Sequence, residues 1–288
     1  MEIKIAKKAG FCFGVRRAIE MAYNKLNEAD GKPVYTLGPL VHNPQVTGQL
    51  EKDGIFSIEV EEMADKPKGH LIIRTHGISP KIRNKASELG YIITDATCPL
   101  VRKIHHIVLE LQKEGYQIIV IGHASHPEVQ GIVGEVDNSC FIIEDKKEVA
   151  DLQVFKKMGI VVQTTALWSN FQEISAALLE KTREARIFNT ICYATIERQQ
   201  AAEELSEQVD LVIVIGGKNS SNTRRLLEIC MSVNPNSHHV EQVDELNPEW
   251  FRGVKSAGLT AGASTPDYII EEIFNRIEEI EISQAEKK

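Results

Sequence analysis

Three cysteines stand in similar surroundings: Gly-Phe-Cys12-Phe-Gly-Val-Arg, Ala-Thr-Cys98-Pro-Leu-Val-Arg and Thr-Ile-Cys192-Tyr-Ala-Thr-Ile. They are 86 and 94 residues apart, and each is followed after 26, 24 and 24 residues by a glycine that closes an apolar run (Gly38, Gly122 and Gly216). Each stands at or just before the start of a helical pattern, where unpaired N–H groups stabilise a thiolate. Pro99 fits the first helical position after Cys98, with Thr97 as a candidate cap. One thiolate from each of three similar segments makes a metal-ligand set. Structural zinc takes four protein ligands, usually as close pairs, and no Cys-x-x-Cys pair is present. A four-iron cluster on three cysteines leaves one iron open to a substrate oxygen. Zinc held by the three cysteines and a histidine, and inert buried thiols, stay open at this level. Arg16 and Arg102, four residues after their cysteines, and Arg198, six after its own, either balance thiolates or are ordinary surface arginines. Cys140 and Cys230 lie outside the pattern in apolar segments and read as core residues.

A second set of groups occupies the short polar loops that follow the apolar runs. His42, His76, His126, Ser220, Ser221, Asn222 and Ser264 supply hydrogen-bond donors suited to an anion such as diphosphate. Glu128 is the acidic residue of these loops, two positions after His126, and an acid beside a reducing centre is a natural proton source. Thr164 can relay or orient that proton. His70, His105, His106, His123, His238 and His239 carry no such pattern and read as structural or surface residues.

The elements that position these groups also repeat. After each cysteine comes a stretch of helical periodicity (15–25, 99–114 and 194–208), then the apolar run ending in glycine (34–38, 118–122 and 211–216). A further helix, a short apolar segment, a third apolar run and a closing helix (81–89, 171–182 and 267–280) complete each copy. Alternating strands and helices predict an α/β fold: three pseudo-symmetric units with small, mostly parallel sheets. The units are 13–97, 98–191 and 192–280, with residues 1–12 as a strand leading into the cysteine site and 281–288 as a polar tail expected to fray. Ligands of open parallel sheets bind beyond the carboxyl ends of the strands, so units related by a rough three-fold axis would direct these loops to one central cavity holding the three cysteines.

Composition excludes several classes. Of 288 residues, 42% are hydrophobic and 26% charged, which is neither a disordered nor a fibrous chain. Five cysteines are too few for a disulfide scaffold. A net charge of −8 argues against nucleic acid or an anionic membrane as partner. No apolar run approaches the roughly 18 residues of a membrane span. Lys7 and Lys8 precede a short apolar stretch that runs into Arg16 and Arg17 without a cleavage pattern, so no signal peptide is read there and the chain reads as cytoplasmic.

Gly10-Phe-Cys-Phe-Gly-Val-Arg-Arg17, Asp95-Ala-Thr-Cys-Pro99, His126-Pro-Glu128, Gln163-Thr-Thr165, Asn189-Thr-Ile-Cys-Tyr-Ala-Thr195, Ser220-Ser-Asn222 and Thr260-Ala-Gly-Ala-Ser264 together resemble the 4-hydroxy-3-methylbut-2-enyl diphosphate reductase (LytB) family. The resemblance covers residues 10 to about 280. It implies a three-lobed α/β fold around a [4Fe–4S] cluster with Cys12, Cys98 and Cys192 as its three cysteine ligands and one iron open. It implies that His42, His76, His126, Ser220, Ser221, Asn222 and Ser264 hold the diphosphate, that Glu128 donates a proton, and that Thr164 and His126 contact substrate beside it. The implied reaction removes a hydroxyl from an allylic diphosphate with two electrons and protons, giving isopentenyl and dimethylallyl diphosphates, and the implied electron donor is a ferredoxin or flavodoxin. Quinolinate synthase, a non-redox enzyme, is also similar in having three lobes and three cysteines on one cluster. A protein that uses the cluster to sense oxygen or iron is the other alternative.

Overall fold

The computed structural model describes residues 1–285. In chain order the first elements are β1 (Glu2–Ile5), α1 (Phe13–Asn27), β2 (Val34–Leu37), α2 (Pro44–Lys52), β3 (Ile55–Ile58), β4 (His70–Ile73), α3 (Pro80–Glu88) and β5 (Ile92–Asp95). Next come α4 (Pro99–Lys113), β6 (Gln117–Ile121), α5 (Pro127–Glu135), β7 (Cys140–Ile143), β8 (Phe155–Val162), α6 (Trp168–Leu179) and β9 (Thr182–Ile187). The last are α7 (Tyr193–Ser206), β10 (Leu211–Ile215), α8 (Ser221–Val233), β11 (Ser237–Val240), β12 (Ser256–Ala261) and α9 (Asp267–Ala285). None of the described helices is long and apolar enough to cross a membrane.

The chain divides into two compact units, Met1–Val15 with Val41–Gly48 and Tyr193–Lys288, and Arg16–Leu40 with Gln49–Cys192. The first holds one sheet in the order β1-β12-β10-β11, and the second holds two, β3-β2-β4-β5 and β7-β6-β8-β9. Every described pairing between strands is parallel. The three orders are one order. In each sheet the first strand is central, the second forms one edge, the third lies on the other side and a fourth closes the far edge. In the first unit that fourth place is taken by β1, which pairs with β12 from Glu2↔Ser256 to Ile5↔Leu259.

Continuous apolar runs make the central strands because a parallel sheet covered by helices buries both faces. β10 is buried along its whole length, as are Ile118 to Ile121 of β6 and the four residues of β4. In the first unit Leu211, Ile213 and Ile215 pack with Leu259 and with Ile269, Ile273 and Ile277 of α9. In the second, Val108 and Leu111 of α4 pack on Ile118, Val120 and Val161 beside Val129, Ile132 and Val133 of α5.

The structure adds two strands that the periodicity does not show. β5 and β9 are far-edge strands whose residues are exposed or half-buried; β9 is largely polar, and β5 offers only the two apolar residues Ile92 and Ile93. Thr182 therefore starts β9 where the helical pattern placed the end of a closing helix. Residues 281–285 are also not frayed: α9 continues through Ala285, as Glu, Gln and Ala in that stretch favour helix. Residues 286–288 of the expected polar tail lie outside the described residues.

Candidate active site

The three repeated cysteines share one backbone bond. The N–H of Cys98 donates to the carbonyl of Thr75 at 2.9 Å, that of Cys192 to Thr164 at 2.9 Å, and that of Cys12 to Ala263 at 3.1 Å. Thr75, Thr164 and Ala263 each stand two residues past the third strand of their sheet, so each cysteine is pinned to the loop beyond β4, β8 or β12. Each also immediately precedes a helix (α1, α4 or α7), where the dipole favours a thiolate. Cys98 itself is the cap position of α4, with Pro99 first in the helix; Thr97 is not the cap and instead donates its N–H to Asp95 Oδ1 at 2.9 Å. All five cysteines are free thiols, and the repeated three are half-buried. Cys140, the first residue of β7, and Cys230, in the core beside Val212 and Leu226, have thiols pushed up by burial, which opposes the thiolate a metal needs.

The arginines near the cysteines brace backbone. Arg198 of α7 is only 4% exposed; its Nη2 donates to the carbonyl of Gly10 at 2.8 Å and its Nη1 to that of Ala194 at 3.0 Å. Arg17 of α1, which sequence reasoning passed over, donates from Nη1 to the carbonyls of Ala96 at 3.4 Å and Thr97 at 3.3 Å. The helix after Cys192 thus holds the loop before Cys12, and the helix after Cys12 holds the loop before Cys98. Arg102 is exposed and pairs with Asp95 at 3.4 Å, and Arg16 is exposed as well.

In the first unit a polar set surrounds the start of α8. Ser220 caps the helix, its Oγ accepting from the Thr223 N–H at 3.3 Å. Asn222 is 5% exposed, and neither its Nδ2 nor its Oδ1 has a partner among the described residues. The Nδ2 is a donor at a helix N-terminus and suits an oxyanion, whereas the Oδ1 suits a donor such as a hydroxyl or water; a buried group left unpartnered costs about 1–3 kcal/mol. The segment carrying His42 is held here by close approach: a Cβ at Gly217 would come 2.4 Å from the His42 carbonyl, which also accepts from Ser264 Oγ at 3.3 Å. His42, Ser220, Ser221, Asn222 and Ser264 are therefore brought together with Cys12 in this unit. Asn43, buried beside His42, caps α2 by accepting from the N–H groups of Gln45 and Val46 at 3.0 and 3.1 Å, and its Nδ2 is a further unpartnered donor. Nothing in the sequence singled it out.

In the second unit the acid is fixed by a threonine. Glu128 is 2% exposed; its Oε1 accepts from the Thr164 N–H at 2.7 Å and its Oε2 from Thr164 Oγ1 at 2.6 Å. Burial pushes the carboxyl above the ordinary carboxylate range, against the hydrogen bonds from Thr164 and the charge of His105. His126 caps α5, its Nδ1 accepting from the Glu128 N–H at 3.2 Å, and its ring meets that of His76 edge-on at 5.4 Å. Gln163 ties the same loops, its Oε1 accepting from the His123 N–H at 3.1 Å and its Nε2 donating to Thr165 Oγ1 at 2.9 Å. Bonds thus run from Cys192 through Thr164 to Glu128 and His126, and the Thr75–His76 loop carries the bond to Cys98. His105 is a buried residue paired with Glu135, which a lone histidine in a helical pattern does not reveal.

Residues 3–278 match the model of the family described as LytB protein. The chain belongs to the LytB family. Its LytB relatives include the 4-hydroxy-3-methylbut-2-enyl diphosphate reductases of Caldanaerobacter subterraneus, 46% identical over 97% of this chain and 98% of that protein, and of Aquifex aeolicus, 44% identical over 97% of each. Among solved structures, an (E)-4-hydroxy-3-methyl-but-2-enyl diphosphate reductase, described as the terminal enzyme of the non-mevalonate pathway, is 43% identical with a TM-score of 0.72, covering 97% of this chain and all of that one. The E-1-hydroxy-2-methyl-but-2-enyl-4-diphosphate reductase of Plasmodium falciparum is 36% identical with a TM-score of 0.89, covering 95% of this chain and 87% of that one.

Proposed function

We propose that this chain reduces (E)-4-hydroxy-3-methylbut-2-enyl diphosphate in the final step of the non-mevalonate isoprenoid route. The allylic C–O bond breaks, two electrons and two protons enter, and water leaves, giving isopentenyl and dimethylallyl diphosphates. We assign Cys12, Cys98 and Cys192 as ligands of a [4Fe–4S] cluster with one open iron; Cys98 and Cys192 open the repeats 98–191 and 192–280, and Cys12 immediately precedes the repeat 13–97. The observation that carries this reading is the shared N–H bond from each cysteine to the same position of a sheet, at 2.9, 2.9 and 3.1 Å. It keeps three half-buried thiols on fixed loops at helix starts, a donor set that suits iron–sulfur chemistry. When bound, the cluster supplies electrons and a Lewis-acid position for the alcohol.

The chain's own residues do the rest. His42, His76, His126, Thr164, Ser220, Ser221, Asn222 and Ser264 bind substrate, with the buried amide of Asn222 at the start of α8 taking diphosphate oxygens. Glu128 holds a proton that burial keeps on the carboxyl, and Thr164 fixes the direction in which it is given. His126 orders the first turn of α5 so that Glu128 keeps this position. A ferredoxin or flavodoxin supplies the electrons in the cytoplasm; neither nucleic acid nor membrane takes part.

Turnover of anaerobically reconstituted protein with reduced viologen and the hydroxylated diphosphate tests the reading, and both product diphosphates are expected. A cluster-loaded sample that yields neither refutes it, and leaves the quinolinate synthase-like and sensor alternatives.

A further inference from the structure

Helix α5 carries two acids seven residues apart, Glu128 in its first turn and Glu135 in its last. Seven residues are nearly two turns, so both side chains leave from one face, with position 131 between them. That position is Gly131, and the space it leaves is taken by His105 of α4: a Cβ there would stand 3.5 Å from His105 Nε2. The same ring lies against Gly77 (φ +75°), where a Cβ would come 2.9 Å from its Cε1, so His105 backs the turn that carries His76. His105 Nδ1 meets Glu135 Oε1 at 2.8 Å with both groups mostly buried, and Nε2 is buried with no partner among the described residues. A histidine thus spans the α5 face from Glu135 towards Glu128.

Beside the pair lies a cavity of about 230 Å³, lined also by Thr97, Arg83, Asp95, Arg102 and His106. Arg102 and His106 are exposed, so water reaches the pair. The charged groups facing His105 are Glu135 from α5, Arg83 from α3, Asp95 from β5, and Arg102 and His106 from its own helix. Arg83 and Arg102 are both engaged by Asp95, at 2.7 and 3.4 Å, which leaves Glu135 as the partner of the imidazole. Glu128 itself is bordered by Thr164 and His126 and is sealed from solvent.

We propose that His105, held by Glu135 at this wet cavity, is a positioning residue for Glu128: its charge couples the sealed acid to solvent and sets the pH at which Glu128 releases its proton. A cation on that face stabilises the carboxylate, so a charged His105 makes Glu128 the readier acid, and a neutral one makes it hold its proton longer. The consequence for turnover rests on the reading of Glu128 as proton donor; the coupling itself belongs to the chain without cluster or substrate.

Isotope-edited infrared spectroscopy of the cluster-free chain reads the Glu128 carboxyl band, assigned by its loss in Glu128→Gln. In the unmodified chain the band titrates in two steps, as coupled groups do. In His105→Gln, and again in His105→Asn, the step that His105 contributes is lost and the midpoint is raised by about one pH unit. The unmodified curve decides alone where the variants do not fold. A single-step curve in the unmodified chain, or an unmoved midpoint in a folded variant, overturns the proposal. In the loaded enzyme His105→Gln moves the alkaline limb of kcat upward by the same amount with KM unchanged. A shifted band with an unshifted limb upholds the coupling and removes Glu128 from the role of acid.

Discussion

In the unit built on β10 and β12, the polar groups around the start of α8 are neutral: the Asn222 amide with both atoms buried and unpartnered, the Ser220 hydroxyl that caps α8, and Ser264 against the His42 backbone. In the unit built on β2 to β9, the exceptional groups are acids and imidazoles: Glu128 sealed under two bonds from Thr164, with His126 capping its helix and the buried His105–Glu135 pair behind it. Both units use one sheet order and one way of pinning a cysteine. On the proposed function, this contrast is a division of labour within a repeated scaffold. The cysteine loop is kept in each copy, while the loops after the first and third strands differ: one unit carries the buried Asn222 amide and the other the buried Glu128 carboxyl.

Variants at the two sets of groups test this division. Glu128→Gln should lower turnover by about 10² or more, the usual scale for a general acid, with diphosphate affinity retained. The same variant has a stability signature in the cluster-free chain. The folded-state carboxyl titrates above its ordinary 4.5, so its neutral form stabilises the fold at low pH and that contribution is lost as pH rises through the raised value. Glu128→Gln should therefore gain stability relative to the unmodified chain as pH rises above about 4.5, seen in urea midpoints across pH. Equal turnover in the two proteins would break the assignment of the second unit.

Arg198→Met removes a buried guanidinium bond to the Gly10 carbonyl and should cost about 2 kcal/mol of stability in urea unfolding, with slower iron uptake on reconstitution. An unchanged urea midpoint would show that the loop before Cys12 holds itself. The smallest effect is expected at the cradle: Asn222→Ala should weaken diphosphate binding roughly tenfold, read as KM, with the pH profile of kcat unmoved. A shifted pH profile there would mean that Asn222 also acts on the proton-transfer step.

The repeat made much of this legible. Cysteines at 12, 98 and 192 with glycines 24 to 26 residues later mark three first strands and their loops, and these fix the helices and central strands. β9 was invisible because an exposed edge strand needs no apolar run, and in β5 only Ile92 and Ile93 are apolar. Thr97 looked like a cap by residue type, but the chain turns into α4 one residue later, at Cys98. Arg17 escaped notice because its partners, the carbonyls of Ala96 and Thr97, lie far along the chain, whereas Arg102 matched the spacing and serves only an exposed pair with Asp95. His105 was hidden for the same reason: its partner Glu135 is a full strand and helix away in sequence. Spacing reveals what repeats; what differs between copies depends on contacts that the spacing does not encode.

The central claim is that Cys12, Cys98 and Cys192 hold one cluster, and iron and sulfide content after anaerobic reconstitution tests it most directly. Cys98→Ser should lose most of the iron and sulfide, whereas Cys140→Ser, whose thiol is pushed up by burial in a strand, should match the unmodified chain. Equal iron in the two variants would contradict the account.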